Sequence, residues 1–280
     1  MLKGVVMTKN DIEKAKFYKY LQNNINPNLK FEQDLGNIIF LPIDKLKEKS
    51  QEIKKELEAC FGKDYQTKNE YAKIKDKYDK AYNKLRDEIG TQIVQEKNYM
   101  LCPYCRANYI RFFENDKKMV KPDLDHYYPK SKYPYFAVTI SNLIPSCSFC
   151  NQRLKRDNEP LIDFDDTQEI FNKLEFEANV IEQIIYINIY SFKNLSNNEK
   201  KWLKQMMIEE NYSNHTEILE NLLSKADKYK SSRICEIAKN IGLPKEEIYN
   251  IVFAEYDIMK ETNEPLFKLK QDLYKQLIDS

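Results

Sequence analysis

Two cysteine pairs, Cys102-Pro103-Tyr104-Cys105 and Cys147-Ser148-Phe149-Cys150, constrain this chain more than any other feature. A two-residue gap lets one tight turn offer two sulfurs, and two such turns supply the tetrahedral thiolate set that zinc prefers. Four thiolates close the coordination sphere, so an ion held there staples structure and leaves no open catalytic position. The stretch from residue 105 to residue 147 is long for a plain zinc ribbon. Something is therefore inserted between the two knuckles. Cys60 and Cys235 stand alone on helical patterns and read as buried thiols, since a free cysteine behaves as a small hydrophobe.

Whether paired cysteines bind metal or oxidise depends on compartment. No apolar run is long enough to span a bilayer, and the first residues, MLKGVVMTKND, are too weakly apolar for a signal peptide. The expectation is a cytoplasmic protein, with no membrane partner, whose cysteine pairs hold zinc rather than form disulfides. Only 5 glycines occur in 280 residues, which disfavours glycine-rich phosphate loops and turn-dense all-β folds. The net charge of +1 excludes a generally polybasic protein. Residues 101–160, however, carry ten basic against six acidic residues, net +4, so any nucleic-acid contact is local to this stretch.

Periodicity places the insert in a helical context. Residues 11–22 read as a short helix, and 38–41 (IIFL) as a short strand or buried extended segment. From about Ile43 to Lys97, Leu46, Ile53, Leu57 and Phe61 fit one helical face and Gly62 breaks it. Tyr71, Ile74, Tyr78, Ala81, Leu85 and Ile89 then continue at three-and-four spacing, which predicts a helical hairpin with a long second arm. Residues 174–192 alternate β-branched and aromatic residues as a β-hairpin does. Helices return from Asn197, the last ones over about 232–240, 244–261 and 264–278. The fold class is mostly α with a small α+β insert, divided as 1–98 (helical), 99–165 (the cysteine-bearing core) and 166–280 (β-hairpin and helical bundle).

The insert carries one of only two histidines. His126 follows Asp125 directly and lies near Asp123. Adjacent strand residues face opposite sides, so Asp125 and His126 share one site only if the chain turns there, as Pro129 suggests. A neutral imidazole can take a proton from water near pH 7. A carboxylate binds a hard divalent cation, and such a cation stabilises charge developing on a scissile phosphate. His215, in the polar run NYSNHTE, reads as an exposed or capping residue.

These residues, in order, resemble a known family. Cys102…Cys105, Leu124-Asp125-His126-Tyr127-Tyr128-Pro129-Lys130, Asn142-Leu143-Ile144-Pro145 and Cys147…Cys150-Asn151…Lys155 are similar to the HNH nucleases with a ββα-metal core, and more narrowly to the zinc-knuckle branch found in bacterial anti-phage defence. The resemblance covers about 60 of the 280 residues. It implies His126 as general base, Asp125 and Asn151 as ligands of a catalytic Mg²⁺ or Mn²⁺, and Asn142 as the residue that ties the loop and orients the histidine. The four cysteines match the structural zinc pairs. Asn151 stands where many members have histidine, and its amide oxygen suits magnesium. The resemblance further implies DNA as substrate, a 5′-phosphate product and a defence-system partner such as an ATPase. Helical flanks of this size also suit a homo-oligomer.

Lys130, Lys132, Arg153, Lys155 and Arg156 flank the motif as candidate phosphate contacts. Tyr127 and Tyr128 either touch nucleic acid or pack the knuckle, packing being expected for at least one. A weaker pattern at 233–252 has the outline of a helix-turn-helix, but its second helix is acidic. Gly242 as a helix stop and Pro244 at a helix start explain it without DNA. The rival reading of the whole chain is a non-catalytic zinc-stabilised nucleic-acid-binding or scaffold subunit.

Overall fold

Apolar residues at helical spacing wind Leu46–Phe61 and Asn69–Lys97 into two helices, the second 29 residues long. Gly62 ends the first at φ +90°, a conformation that glycine adopts without strain. Asn98 ends the second in the left-handed region (φ 46°), where asparagine is the usual alternative to glycine. These are features of a computed structural model that describes residues 8–115, 118–182, 184–192, 194–253 and 264–279. It is mostly helical, with three two-stranded antiparallel sheets among the described residues. The chain divides into two compact units, residues 1–104 with 108–165 and residues 105–107 with 166–280.

In the first unit the long helix is the spine. Short N-terminal helices, Lys9–Lys14 and Lys16–Gln22, precede it, and the second packs against it through buried Phe17 and Leu21. The expected single helix over 11–22 is thus two, broken at Ala15, whose backbone is extended. The expected extended segment at 38–41 is a correction. Leu35–Ile39 is a helical turn, because the Asp34 carboxylate caps it by accepting from Asn37 N and no described strand pairs with it. Ile38 and Ile39 remain in the core. Their turn is tied to a distant loop: Thr139 Oγ1 donates to the Ile38 carbonyl at 2.8 Å and Ser141 Oγ to the Leu41 carbonyl at 2.5 Å.

That loop carries Pro134–Val138, a buried 3₁₀ turn packed against the long helix. It sits between two short strands, β3 (Asp123–His126) and β4 (Leu143–Ser146), which pair antiparallel with Asp125 opposite Ile144 and His126 opposite Leu143. A smaller hairpin, β1 (Phe113–Asn115) with β2 (Lys118–Val120), precedes them. After β4 comes a π-helical turn, Phe149–Lys155.

The second unit bears out the alternation at 174–192: β5 (Leu174–Ile181) pairs with β6 (Ile184–Phe192). The outer edge of β5 is closed by a C-terminal helix, Phe267–Asp279. Phe176 N donates to Asp272, and the Gln276 amide both accepts from Ala178 N and donates to its carbonyl, in place of a further strand. Helices 197–205, 208–213, 216–228, 231–241 and 245–252 complete the described part. Gly242 (φ 72°) and Pro244 form the turn between the last two. The expected helix over 244–261 extends beyond residue 253 into positions outside the described residues. No described helix is long and apolar enough to cross a membrane. Cys60 is exposed, which corrects its reading as a buried thiol, and Cys235 is half-buried.

Phe136 is fully buried in the loop that sits against the long helix. Phe136→Ala should lower unfolding free energy by about 3–5 kcal/mol, measured by urea denaturation. An unchanged midpoint would contradict that packing.

Candidate metal and catalytic centre

The knuckles are shaped by their own turns. Cys102 N donates to the Asn108 carbonyl at 2.9 Å, folding the chain back on itself, and Arg106 takes the left-handed conformation (φ 48°) within the turn. At the second knuckle Cys150 N points at Cys147 Sγ (3.4 Å), and Asn108 Nδ2 approaches the same sulfur at 3.6 Å. All four sulfurs lie within 4.8 Å of one another, and Cys102, Cys105 and Cys150 are buried. Tetrahedral zinc at about 2.3 Å from each sulfur places neighbouring sulfurs about 3.8 Å apart, so the cluster could hold such an ion with small adjustment. N–H groups aimed at a sulfur favour its thiolate.

The π turn begins inside the second knuckle and runs beside β3. Alternation along β3 puts Asp123 and Asp125 on the face toward that turn, and Leu124 and His126 on the face toward the long helix. Asn151 and Lys155, four residues apart, meet the two aspartates in order. Asn151 Nδ2 donates to Asp123 Oδ2 at 3.1 Å, and Lys155 Nζ lies 3.2 Å from Asp125. Gln152 Nε2 also donates to Asp123 Oδ2, at 2.8 Å. The Tyr104 hydroxyl, from inside the first knuckle, donates to Asp125 Oδ2 at 2.5 Å.

Asp125 and Lys155 are 3% and 4% exposed, so this is a charge pair out of water. Burial pushes the Asp125 carboxyl up and the Lys155 ammonium down, and each charge is a main compensation of the other. Lys155 Nζ further donates to the His126 carbonyl at 2.7 Å. The residue read as a surface phosphate contact is therefore an internal strut, a correction whose cause is the carboxylate thirty positions earlier on the facing strand.

His126 sits on the opposite face. Its ring meets Tyr82 of the long helix edge-on, centroids 4.4 Å apart. Nε2 is 3.1 Å from the Ala137 carbonyl. A carbonyl only accepts, so this nitrogen carries the proton, and in the neutral ring Nδ1 holds the lone pair. Burial depresses the imidazole to about 3, which keeps it neutral at physiological pH. Asn142 is fully buried and ties the loop: its Oδ1 accepts from Tyr128 N (2.7 Å), and Nδ2 donates to the Tyr128 and Phe136 carbonyls (3.1 and 3.0 Å). Its own carbonyl accepts from Tyr127 N, immediately after the histidine. It thus acts on the loop and through the backbone.

Asp125, His126, Asn151, Lys130 and Arg156 line one cleft of about 310 Å³ with Tyr82, Gln152 and Asp157. Asp125 and His126 thus border the same cleft, while their side chains leave opposite faces of the strand and hold separate partners. An adjoining cleft of about 390 Å³ shares Tyr82, Leu124, Asn151 and Gln152 and adds Asp123, Arg86 and Lys121. Of the remaining candidates, Lys130 pairs with Asp79 at 2.8 Å and Lys132 with Glu159 at 3.2 Å, so both are partly neutralised. Arg153 is exposed and does not line either cleft. Tyr127 is buried, its hydroxyl donating to the Ile162 carbonyl, and packs as expected. His215 occupies the N-cap position of helix Thr216–Lys228, its Nδ1 2.9 Å from Glu217.

The sequence reading missed Tyr104, Tyr82, Arg86, Lys121 and Gln152. Only two carried a signal: Gln152 follows Asn151 directly, and Tyr104 lies within the knuckle. Arg86 and Lys121 are brought together by Gly90 of the long helix. A Cβ there would lie 3.3 Å from Lys121 Nζ and 3.6 Å from both Arg86 and Leu124.

No family model, curated protein or solved structure matches the chain.

Two outcomes follow. One zinc per chain should survive dialysis, and Cys102→Ser should lower both zinc content and melting temperature. A metal-free wild type with an unchanged melt would contradict the thiolate site. Lys155→Met should cost about 3–5 kcal/mol in urea denaturation by stranding a buried carboxylate, while Asp125→Leu/Lys155→Met should cost less than that single change. A double variant as unstable as the sum of its single changes would mean the two groups do not interact.

Proposed function

We propose that the chain is a metal-dependent HNH endonuclease that hydrolyses DNA phosphodiester bonds, with a structural zinc on Cys102, Cys105, Cys147 and Cys150 and a Mg²⁺ or Mn²⁺ in the cleft beside β3. The observation that carries this reading is the state of His126: Nε2–H is anchored on the Ala137 carbonyl, in a residue that borders the same cleft as Asp125 and Asn151. A general base needs a fixed lone pair, and this anchor leaves it on Nδ1. In the proposed reaction Nδ1 takes a proton from the attacking water while the Ala137 carbonyl steadies the imidazolium that forms. An approaching phosphate, being anionic, raises the proton affinity of the ring from its depressed resting value.

A hard divalent cation, when bound, supplies charge to the phosphate and the leaving oxygen. Asp125 and Asn151 border one cleft and Asp123 and Asn151 the other, and carboxylate and amide oxygens are the donor types that suit Mg²⁺ or Mn²⁺. Arg156 in one cleft and Arg86 and Lys121 in the next are cations disposed to meet the flanking backbone phosphates. The proposed setting is bacterial anti-phage defence, with a partner protein such as an ATPase controlling access. That part rests on the resemblance of the motif, since a site defines chemistry more closely than it defines a pathway.

Supercoiled plasmid incubated with the zinc-loaded protein should be nicked in Mg²⁺ or Mn²⁺ and intact in chelator. His126→Ala should slow nicking by about 10²–10⁴-fold, the usual contribution of a general base. Nicking that proceeds equally in His126→Ala would remove the nuclease assignment and leave a zinc-stabilised binding or scaffold module.

A further inference from the structure

The two carboxylates of β3 are in different electrostatic situations. Asp125 has an ammonium 3.2 Å from each of its oxygens and the Tyr104 hydroxyl on Oδ2. A dication placed on it would sit against Lys155, whose nitrogen is also held by the His126 carbonyl and is nearly out of water. Like charges repel most strongly where water cannot screen them. Moving Lys155 aside would in turn strand its own buried charge.

Asp123 has neither obstacle. It is half-buried, and the hydrogen bonds it accepts at Oδ2 come from two neutral amides, Asn151 Nδ2 at 3.1 Å and Gln152 Nε2 at 2.8 Å. An amide is symmetric in shape, so a half-turn of each side chain replaces its donor nitrogen with an acceptor oxygen. The same three residues would then offer one carboxylate and two carbonyl oxygens, the donor types that suit a hard divalent cation. Asn151 and Gln152 line both clefts, and Asp123 lines one of them.

We propose that Asp123, with the side-chain amides of Asn151 and Gln152, takes the divalent cation, and that Asp125 serves instead as the counter-ion of Lys155. Lys155 is a positioning residue, because it ties the main chain of His126 to the π turn that carries Asn151. This deepens the nuclease reading and rests on it for the need of a cation, but its test is independent of cleavage.

The experiment is Mn²⁺ binding to the full zinc-loaded chain, followed by calorimetry and by the loss of the free-ion electron paramagnetic resonance signal. Wild type should bind one Mn²⁺. Asp123→Asn and Asn151→Ala should weaken it at least tenfold, while Asp125→Asn should change it less than threefold. Retained zinc and a cooperative melt verify each fold. If Asp125→Asn fails that check, Asp125→Asn/Lys155→Met replaces it. Loss of Mn²⁺ with the Asp125 variant but not with Asp123→Asn, equal loss in both, or no binding by wild type would each overturn the assignment. Plasmid nicking on the same samples reads the nuclease proposal separately: an inert protein that binds Mn²⁺ through Asp123 would sink that reading alone.

Discussion

One buried ammonium organises the centre of this protein. Lys155 reaches from the end of a π turn to the Asp125 carboxylate and the His126 carbonyl, two consecutive residues of β3. Taking either charge out of water alone would be costly, so each requires the other, and the strand is locked to the turn in one register. Asn151 is thereby set opposite Asp123, and the histidine is carried to the strand's other face. π turns recur at functional sites because the extra residue re-aims side chains that a regular helix would direct elsewhere. Here Asn151 and Lys155 address the same strand four residues apart.

Around this strut two further constraints act at different ranges. The cysteine cluster closes the ends of the insert, and its first knuckle contributes Tyr104 to Asp125. Asn142 closes the middle with three side-chain hydrogen bonds, holding the loop whose Ala137 carbonyl anchors the imidazole. The long helix supplies the wall: Tyr82 against the histidine ring, and Gly90 where Leu124 and Lys121 approach. The cysteine cluster through Tyr104, the Asn142 amide through the loop and the long helix through Tyr82 thus converge on the strand that carries the imidazole.

Spacing made much of this legible in the sequence. Thiolate ligation demands two close pairs, so the cysteines were readable without a fold. Apolar residues at three-and-four spacing marked the two long helices, and strict alternation marked the β5–β6 hairpin. What escaped depended on partners far along the chain. The 35–39 turn is apolar enough to pass for a strand, yet Asp34 caps it and Thr139 ties it down from 101 positions away. Lys155 sat in a basic run and looked like surface charge, since nothing local announces that Asp125 lies across from it. Asp123 was seen only as a neighbour of the motif, because its two amide partners become apparent when strand and π turn are laid side by side.

The proposed chemistry depends on a His126 ring that is neutral, with its proton on Nε2 and its lone pair on Nδ1. The chain has only two histidines, so ¹⁵N NMR of imidazole-labelled protein, with His215→Asn to assign the second ring, reads this directly. The account predicts a one-bond proton coupling at the Nε2 of His126 and an unprotonated Nδ1 at neutral pH. A ring protonated on Nδ1, or on both nitrogens, would contradict it.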